Sequence, residues 1–167
     1  MGPPALCPGT FDPVTHGHLD IVRRASRCFD SVVVAVLENP GKEPLFSVEE
    51  RMEMLREAVA DIDRVEVASF SGLLIDFARE RGSRVVVKGL RAVTDFEVEL
   101  QMAQMNTRLG GVETFLVPTS PQWSFLSSSL IKEVVRFGGD VSDLVPKAVA
   151  VRLEAKLEPG SPPVRKE

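Results

Sequence analysis

Five short apolar runs constrain this chain more than any other feature: ALC at 5–7, SVVVAVL at 31–37, VEVASF at 65–70, RVVVK at 84–88 and ETFLV at 113–117. A strand with one wet face alternates apolar and polar residues. Val-rich runs that do not alternate predict strands of a parallel sheet covered on both faces. Helical patterns lie between the runs. Residues 19–29 carry Leu19, Val22 and Phe29, with Arg23, Arg24 and Arg27 on other faces. The stretch SVEERMEMLREAVA opens with a capping box, Ser47 with Glu50 three residues on, and aligns Val48, Met52, Leu55 and Val59 on one stripe. TDFEVELQMAQMNTRLGG repeats the device with Thr94 and Glu97 and stops at Gly110 and Gly111. Its apolar residues make two stripes, Phe96, Leu100, Ala103 and Val98, Met102, Met105, Leu109, where one sheet contact needs only one. The second suits a subunit contact. A later helix is expected over about 127–137, ending at Gly138 and Gly139, and another from Pro146, a favourable first-turn residue.

Strands alternating with helices predict α/β architecture, a Rossmann-like open parallel five-stranded sheet with helices on both faces, in a single domain. Such sheets bind ligands beyond the carboxyl ends of their strands. The domain is expected to cover 1–157, with EPGSPPVRKE forming a loose tail at 158–167. At 167 residues, 44% hydrophobic and 26% charged, the chain is long enough for one substantial core. Net charge of −4 argues against a nucleic-acid partner, although a small anion needs only a local cluster of cations. Cys7 and Cys28 read as reduced core residues, which suits the cytoplasm, and no window resembles a membrane span or signal peptide.

Three strand-to-helix junctions carry anion-binding chemistry. The first, CPGTFDPVTHGHLD, holds both histidines of the chain. Gly9 and Gly17 permit close backbone approach, Thr10 offers a hydroxyl, and His18 falls on the first helical turn, where free N–H groups and the positive dipole end attract a phosphate. Taken alone, His16 and His18 fit a solvated loop equally well. A His-x-His metal site lacks further ligands at zinc spacing. In the second junction, VVVKGLRAVTDFE, Lys88 ends a buried strand and Arg91 follows Gly89. In the third, SPQWSFLSSSLIKE, the only Trp and three serines meet a helix start, which the residues alone leave open between a phosphate site and a plain N-cap. Neither a G-x-G-x-x-G nor a Walker A loop is present; NPGKEP has Gly41 and Lys42 but lacks the rest. Three such junctions on one sheet edge point to a nucleotide with several phosphates.

These same segments, GTFDPVTHGHLDI with T-x-G-H at 15–18, KGLRAVTDFEVE and WSFLSSSLIKEV, resemble the bacterial phosphopantetheine adenylyltransferases over about residues 5–157. T-x-G-H marks only the nucleotidyltransferase superfamily, and the other two segments mark the family. The resemblance implies transfer of adenylate from ATP to 4'-phosphopantetheine, giving dephospho-coenzyme A and pyrophosphate. It implies that Thr10 touches both substrates and that His18 hydrogen-bonds the ATP phosphates, leaving His16 as the variable position. Lys42 and Lys88 should hold the phosphate of phosphopantetheine, with Leu74 lining the pantetheine site. Phe11, Gly89, Leu90, Arg91, Glu99 and the run Trp123, Ser124, Phe125, Leu126, Ser127, Ser128, Ser129 should hold ATP. His18, Thr10, Lys42 and Arg91 are the expected catalytic group.

The acceptor phosphate is already ionised and needs no general base, so direct in-line attack on the α-phosphorus is expected, without a covalent enzyme intermediate. Mg²⁺ should bind through the ATP phosphates, since no carboxylate cage is evident. The family also implies a homohexamer and feedback inhibition by coenzyme A. Two positions depart from its usual pattern. Lys88 replaces a common arginine, exchanging a bidentate fork for a point charge, and Leu126 replaces isoleucine. A sibling transferase with another acceptor or nucleotide, and a non-catalytic nucleotide sensor, are the rival readings.

Overall fold

In the computed structural model, which describes residues 2–38, 41 and 43–157, five parallel strands form one sheet. They are β1 (Ala5–Gly9), β2 (Val32–Glu38), β3 (Val65–Ser71), β4 (Val85–Leu90) and β5 (Glu113–Pro118). Their order is β3-β2-β1-β4-β5, so the chain builds outward from β1 on one side, then returns to add β4 and β5 on the other. The adjacent pair β1 and β4 is therefore the switch point, where crossovers leave toward opposite sides and a crevice opens. The register enlarges that crevice. β1 and β4 pair only at Ala5 with Val85 and Leu6 with Val86, and beyond those residues the strands separate.

Helices cover both faces, as the unbroken apolar runs require. Helices α1 (His16–Cys28), α2 (Val48–Ala58), α5 (Ser128–Arg136) and α6 (Lys147–Lys156) contribute to a core containing Val34, Met54, Leu55, Ile131 and Leu153. On the opposite face, α3 (Leu74–Glu80) packs Ile75, Phe77 and Ala78 against Leu6, Val33 and Phe70. Truncating a fully buried leucine such as Leu55 to alanine is expected to cost about 2–5 kcal/mol.

The Ser47–Glu50 capping box forms in both directions, with backbone–side-chain distances of 3.2 and 2.7 Å. Several expectations need correction. α1 starts at His16, three residues earlier than its apolar stripe indicates, because Thr15 caps it. The expected N-cap position at Thr94 is not the observed one: α4 (Val93–Gly110) begins at Val93, and its N-cap, Ala92, makes no side-chain bond. Its stop is as expected, with Gly111 at φ 63°. Pro146 is the N-cap of α6 and not its first-turn residue. Cys28 is exposed and only Cys7 joins the core; both are free thiols. Helix α3 carries no start signal in the sequence. Its N-cap, Leu73, makes no side-chain bond.

Both apolar stripes of α4 remain exposed: Phe96, Leu100, Val98, Met102, Met105 and Leu109 are each between 38% and 60% accessible. Among the described residues, no helix is long and apolar enough to cross a membrane. The expected tail at 158–167 and the candidate Lys42 lie outside the described residues.

Candidate active site

Where β1 and β4 part, a cleft of about 340 Å³ opens, walled by Cys7–Gly9, Val87–Gly89, the start of α1 and the segment leading into α5. It is the crevice that the strand order predicts. Cys7 at its base is inert, since burial pushes its thiol up to about 12.

His18 is held by its own helix. It is the third residue of α1, and its Nδ1 accepts the backbone N–H of Thr15 at 3.0 Å. The Thr15 Oγ1 accepts in return from the backbone N–H of His18, at 3.4 Å. An Nδ1 that accepts an amide proton carries none, so the ring proton sits on Nε2. Burial, with further depression by Arg91 and Lys88, pushes the imidazole down to about 4. At neutral pH, His18 is therefore an uncharged ring of defined tautomer with one N–H to donate. Phe11 packs edge-on against it, with ring centroids 5.1 Å apart. Phe11 itself has φ 51°, a left-handed conformation that costs a non-glycine residue roughly 1–2 kcal/mol. Gly9 leaves room for that ring: a Cβ there would lie 2.9 Å from Phe11 Cζ.

The opposite wall is cationic, and each cation is paired. Lys88 Nζ lies 3.2 Å from Glu99 Oε1. Arg91 forks onto Asp95, with Nε to Oδ2 at 3.0 Å and Nη2 to Oδ1 at 3.2 Å. The guanidinium holds the Asp95 carboxyl below its usual range. Arg91 Nη1 donates to the carbonyl of Leu126 at 2.9 Å, tying this wall to the third junction. There Ser127 caps α5 by accepting from Leu130 N–H at 3.1 Å, and Ser128 donates to the Pro13 carbonyl at 2.7 Å. Two of the three serine hydroxyls thus serve structure, while Ser129 lines the cleft.

The cleft accordingly brings together Thr10, Phe11 and His18 from the first junction and Lys88, Gly89, Arg91 and Glu99 from the second. The third junction adds Trp123, Leu126 and the three serines. Leu90, Ser124 and Phe125 are not among its walls, and Phe125 is largely exposed. Leu74 starts α3 and packs toward Leu6 and Phe70 on the other face of the sheet. His16 leaves the cleft and lies against Trp123, centroids 5.3 Å apart, in a second hollow with Asp20 and Arg23. Sequence reasoning missed Thr15 and Asp95, which orient the two principal donors. For Thr15 a signal was available, a capping residue three positions before His18. No group of three or more His, Cys, Asp or Glu among the described residues could hold a metal.

A phosphate-ready cleft at the switch point of a parallel sheet defines a nucleotide-handling α/β protein, and comparison with known proteins agrees. A family model described as cytidylyltransferase-like matches residues 6–134. The chain is 59% identical over 157 residues to the phosphopantetheine adenylyltransferase of Frankia casuarinae, covering 92% of this chain and 97% of that one. It is 56% identical over 165 residues to the enzyme of the same name from Heliobacterium modesticaldum, covering 96% and 98%. A crystal structure of the lipopolysaccharide core biosynthesis protein from Thermoplasma volcanium shares the fold at TM-score 0.51 and 21% identity, over 71% of this chain and 98% of that one. The chain belongs to the cytidylyltransferase-like family and, within it, to the phosphopantetheine adenylyltransferases.

Proposed function

We propose that the chain transfers the adenylyl group of ATP to 4'-phosphopantetheine, forming dephospho-coenzyme A and pyrophosphate by direct in-line attack, without a covalent enzyme intermediate. Its relatives' names support the substrates. The observation that carries the chemistry is the meeting of a neutral His18 donor with Lys88 and Arg91 across one cleft. The acceptor phosphate is already anionic, so the site needs no base. Its work is to align two mutually repelling anions and to stabilise charge growing on the α-phosphate and the leaving pyrophosphate.

In this reading His18 Nε2–H donates to ATP phosphate oxygens, and Thr10 stands between the two substrates. Arg91 and the first turn of α5 hold ATP, with Phe11, Gly89, Leu90, Glu99 and 123–129 around it. Lys88 and Lys42 hold the acceptor phosphate, and Leu74 borders the pantetheine. Asp95 and Glu99 are each committed to a cation, so the donor set suits Mg²⁺ that arrives on ATP and is bound by phosphate oxygens and water. When bound, the ion neutralises phosphate charge. The exposed stripes of α4 support assembly into a homohexamer, and coenzyme A, which contains the product, is the proposed feedback inhibitor. The proposed site of action is the cytoplasm, where free thiols such as Cys7 and Cys28 persist.

The test is pyrophosphate release from Mg²⁺ and ATP, with CTP as the control nucleotide and 4'-phosphopantetheine, nicotinate mononucleotide or glycerol 3-phosphate as acceptor. Release only with ATP and phosphopantetheine is expected. Release with another pair would reassign the acceptor, and none with any pair would leave a nucleotide-binding module.

A further inference from the structure

Among the largest fully buried side chains of the molecule is an arginine. Arg51, on the first turn of α2, is 2% exposed, and none of its hydrogen bonds goes to a carboxylate. Its Nη1 donates to the carbonyls of Thr10 at 2.7 Å and Leu37 at 3.1 Å. Its Nε donates to the carbonyls of Phe46 at 3.1 Å and Ser47 at 3.3 Å. Among the described residues it has no acidic ion-pair partner. Burying an ionised group is expensive, and Arg51 offsets that cost by donating to four backbone carbonyls, any of which would lose a partner in its absence. Its role therefore turns on which segments those carbonyls belong to.

What the four carbonyls share is position. They belong to the loop after β1, the end of β2 and the entry to α2, three segments that meet at Arg51. The Thr10 carbonyl belongs to the peptide plane that also contains the Phe11 nitrogen, so fixing it restrains both ψ of Thr10 and the left-handed φ of Phe11. Asp12 fastens the same loop from its other side. Its carboxylate accepts the backbone N–H groups of Leu45 and Phe46, each at 2.9 Å, and the Lys132 ammonium at 2.7 Å. The Thr10–Asp12 loop is thus clamped to the 45–47 segment by one buried cation and one buried anion.

We propose that Arg51 is a positioning residue for the adenylyl transfer: by gripping the Thr10 carbonyl from beneath, it sets Thr10 in the cleft and the Phe11 ring against His18. The inference rests on the proposed function, because it concerns where Thr10 and His18 stand relative to the reacting phosphates. It predicts a selective loss. ATP still finds the cationic wall and the α5 turn, whereas the groups aimed at the transferring phosphate lose their alignment, and small misplacements cost rate more than binding.

The experiment compares Arg51→Met, Arg51→Gln and Arg51→Lys in the full chain. Thermal unfolding, kcat, the KM values for ATP and phosphopantetheine, and the His18 Cε1–H NMR resonance in the ligand-free protein are recorded. A folded Met or Gln variant should lose roughly tenfold or more in kcat, while the KM for ATP stays within about threefold. Lysine, retaining charge and three donors, should recover part of the loss. The His18 resonance should move in the neutral variants as the Phe11 ring shifts. That readout needs no turnover, so it decides the matter even if the wild-type chain proves inactive and the proposed function fails. A folded neutral variant with kcat within twofold of wild type, or with an unmoved His18 resonance where turnover is absent, overturns the proposal. If neither neutral variant folds, Arg51 is a requirement of the fold, and the positioning role likewise falls.

Discussion

The two walls of the cleft are built on opposite principles. On the α1 side the principal donor, His18, is neutral, fixed in tautomer by Thr15 and backed by the Phe11 ring. On the β4 side Lys88 and Arg91 are charged, and each is joined to a carboxylate of α4, Glu99 and Asp95. The difference separates two tasks. A neutral donor in a fixed place needs no reorganisation when charge develops on a phosphate, which is where electrostatic catalysis gains most. Cations held on internal carboxylates exchange one anion for another when substrate arrives. Their net effect is smaller, and they govern binding more than turnover.

The comparison breaks most sharply at His18. His18→Ala should lower kcat by about 10²-fold or more, the scale of losing one preorganised donor, with a much smaller change in the KM for ATP. Steady-state pyrophosphate release measures both, and a near-normal kcat would remove His18 from the chemistry.

The same residue makes a second prediction, in pH. With a folded pKa near 4 against an ordinary 6.5, His18 binds its proton more readily in the unfolded chain. Its neutral burial therefore supports the fold fully above about pH 6.5 and loses that support as pH falls toward 4. The shift corresponds to about 3 kcal/mol of stability across that whole range. His16 is also pushed below its usual value, first by burial, and acts in the same direction. Urea unfolding at pH 7 and pH 5 should show wild type losing more stability on acidification than His18→Gln does. An acid limb of turnover at about pH 6 should come from the second ionisation of the substrate phosphates and be shared by His18→Gln, because His18 stays neutral there; a limb near pH 6.5 that His18→Gln removes would mean that the imidazole titrates in that range.

On the cationic wall the effects are smaller. Asp95→Asn weakens the fork that aims Arg91 and holds the Leu126 carbonyl in register, so the KM for ATP should rise about tenfold with little change in kcat or Tm. Lys88→Ala should raise the KM for phosphopantetheine about tenfold, the range of one charge-assisted bond. Glu99→Gln should move that KM the other way by two- to threefold, by releasing Lys88 from its internal partner. Parallel shifts in the two variants would show that Glu99 holds Lys88 in place for the substrate and does not compete for it.

What was legible in the sequence follows the same division. Period and capping are local signals, and they identified the five strands, α2 through Ser47 and Glu50, and the stop of α4 at Gly111. They failed at the start of α4. Asp95 spends its carboxylate on the backbone and guanidinium of Arg91, four residues earlier, and the helix starts at Val93 with Ala92 as its N-cap. They failed again at α3, seven residues long and capped by no side chain. Within the site, His18 was visible from its motif, but its charge state was not, since that depends first on burial and then on Arg91 and Lys88, two cations distant in sequence. Arg51 reads in the sequence as one more charge on a helix; only the meeting of three segments around it sets it apart.

The smallest expected effect tests whether the neutral wall is shaped for the fold or for a ligand. Gly17 is the second residue of α1, where glycine is a poor helix former, and its φ is not in the left-handed region. An added Cβ would meet Thr15 Oγ1 and the Trp123 carbonyl at 3.5 Å and Trp123 Cβ at 3.6 Å, all ordinary contacts. The fold therefore has room for alanine, and Gly17→Ala should be neutral or stabilising by up to about 1 kcal/mol, a rise of a few degrees in Tm. Gly17 nevertheless faces the cleft, beside the N–H groups at the head of α1. If the missing side chain lets a phosphate approach that turn, the KM for ATP should rise about threefold or more in the same variant that melts no lower than wild type. Loss of stability with unchanged ATP binding would be the opposite result, and would make Gly17 a requirement of packing.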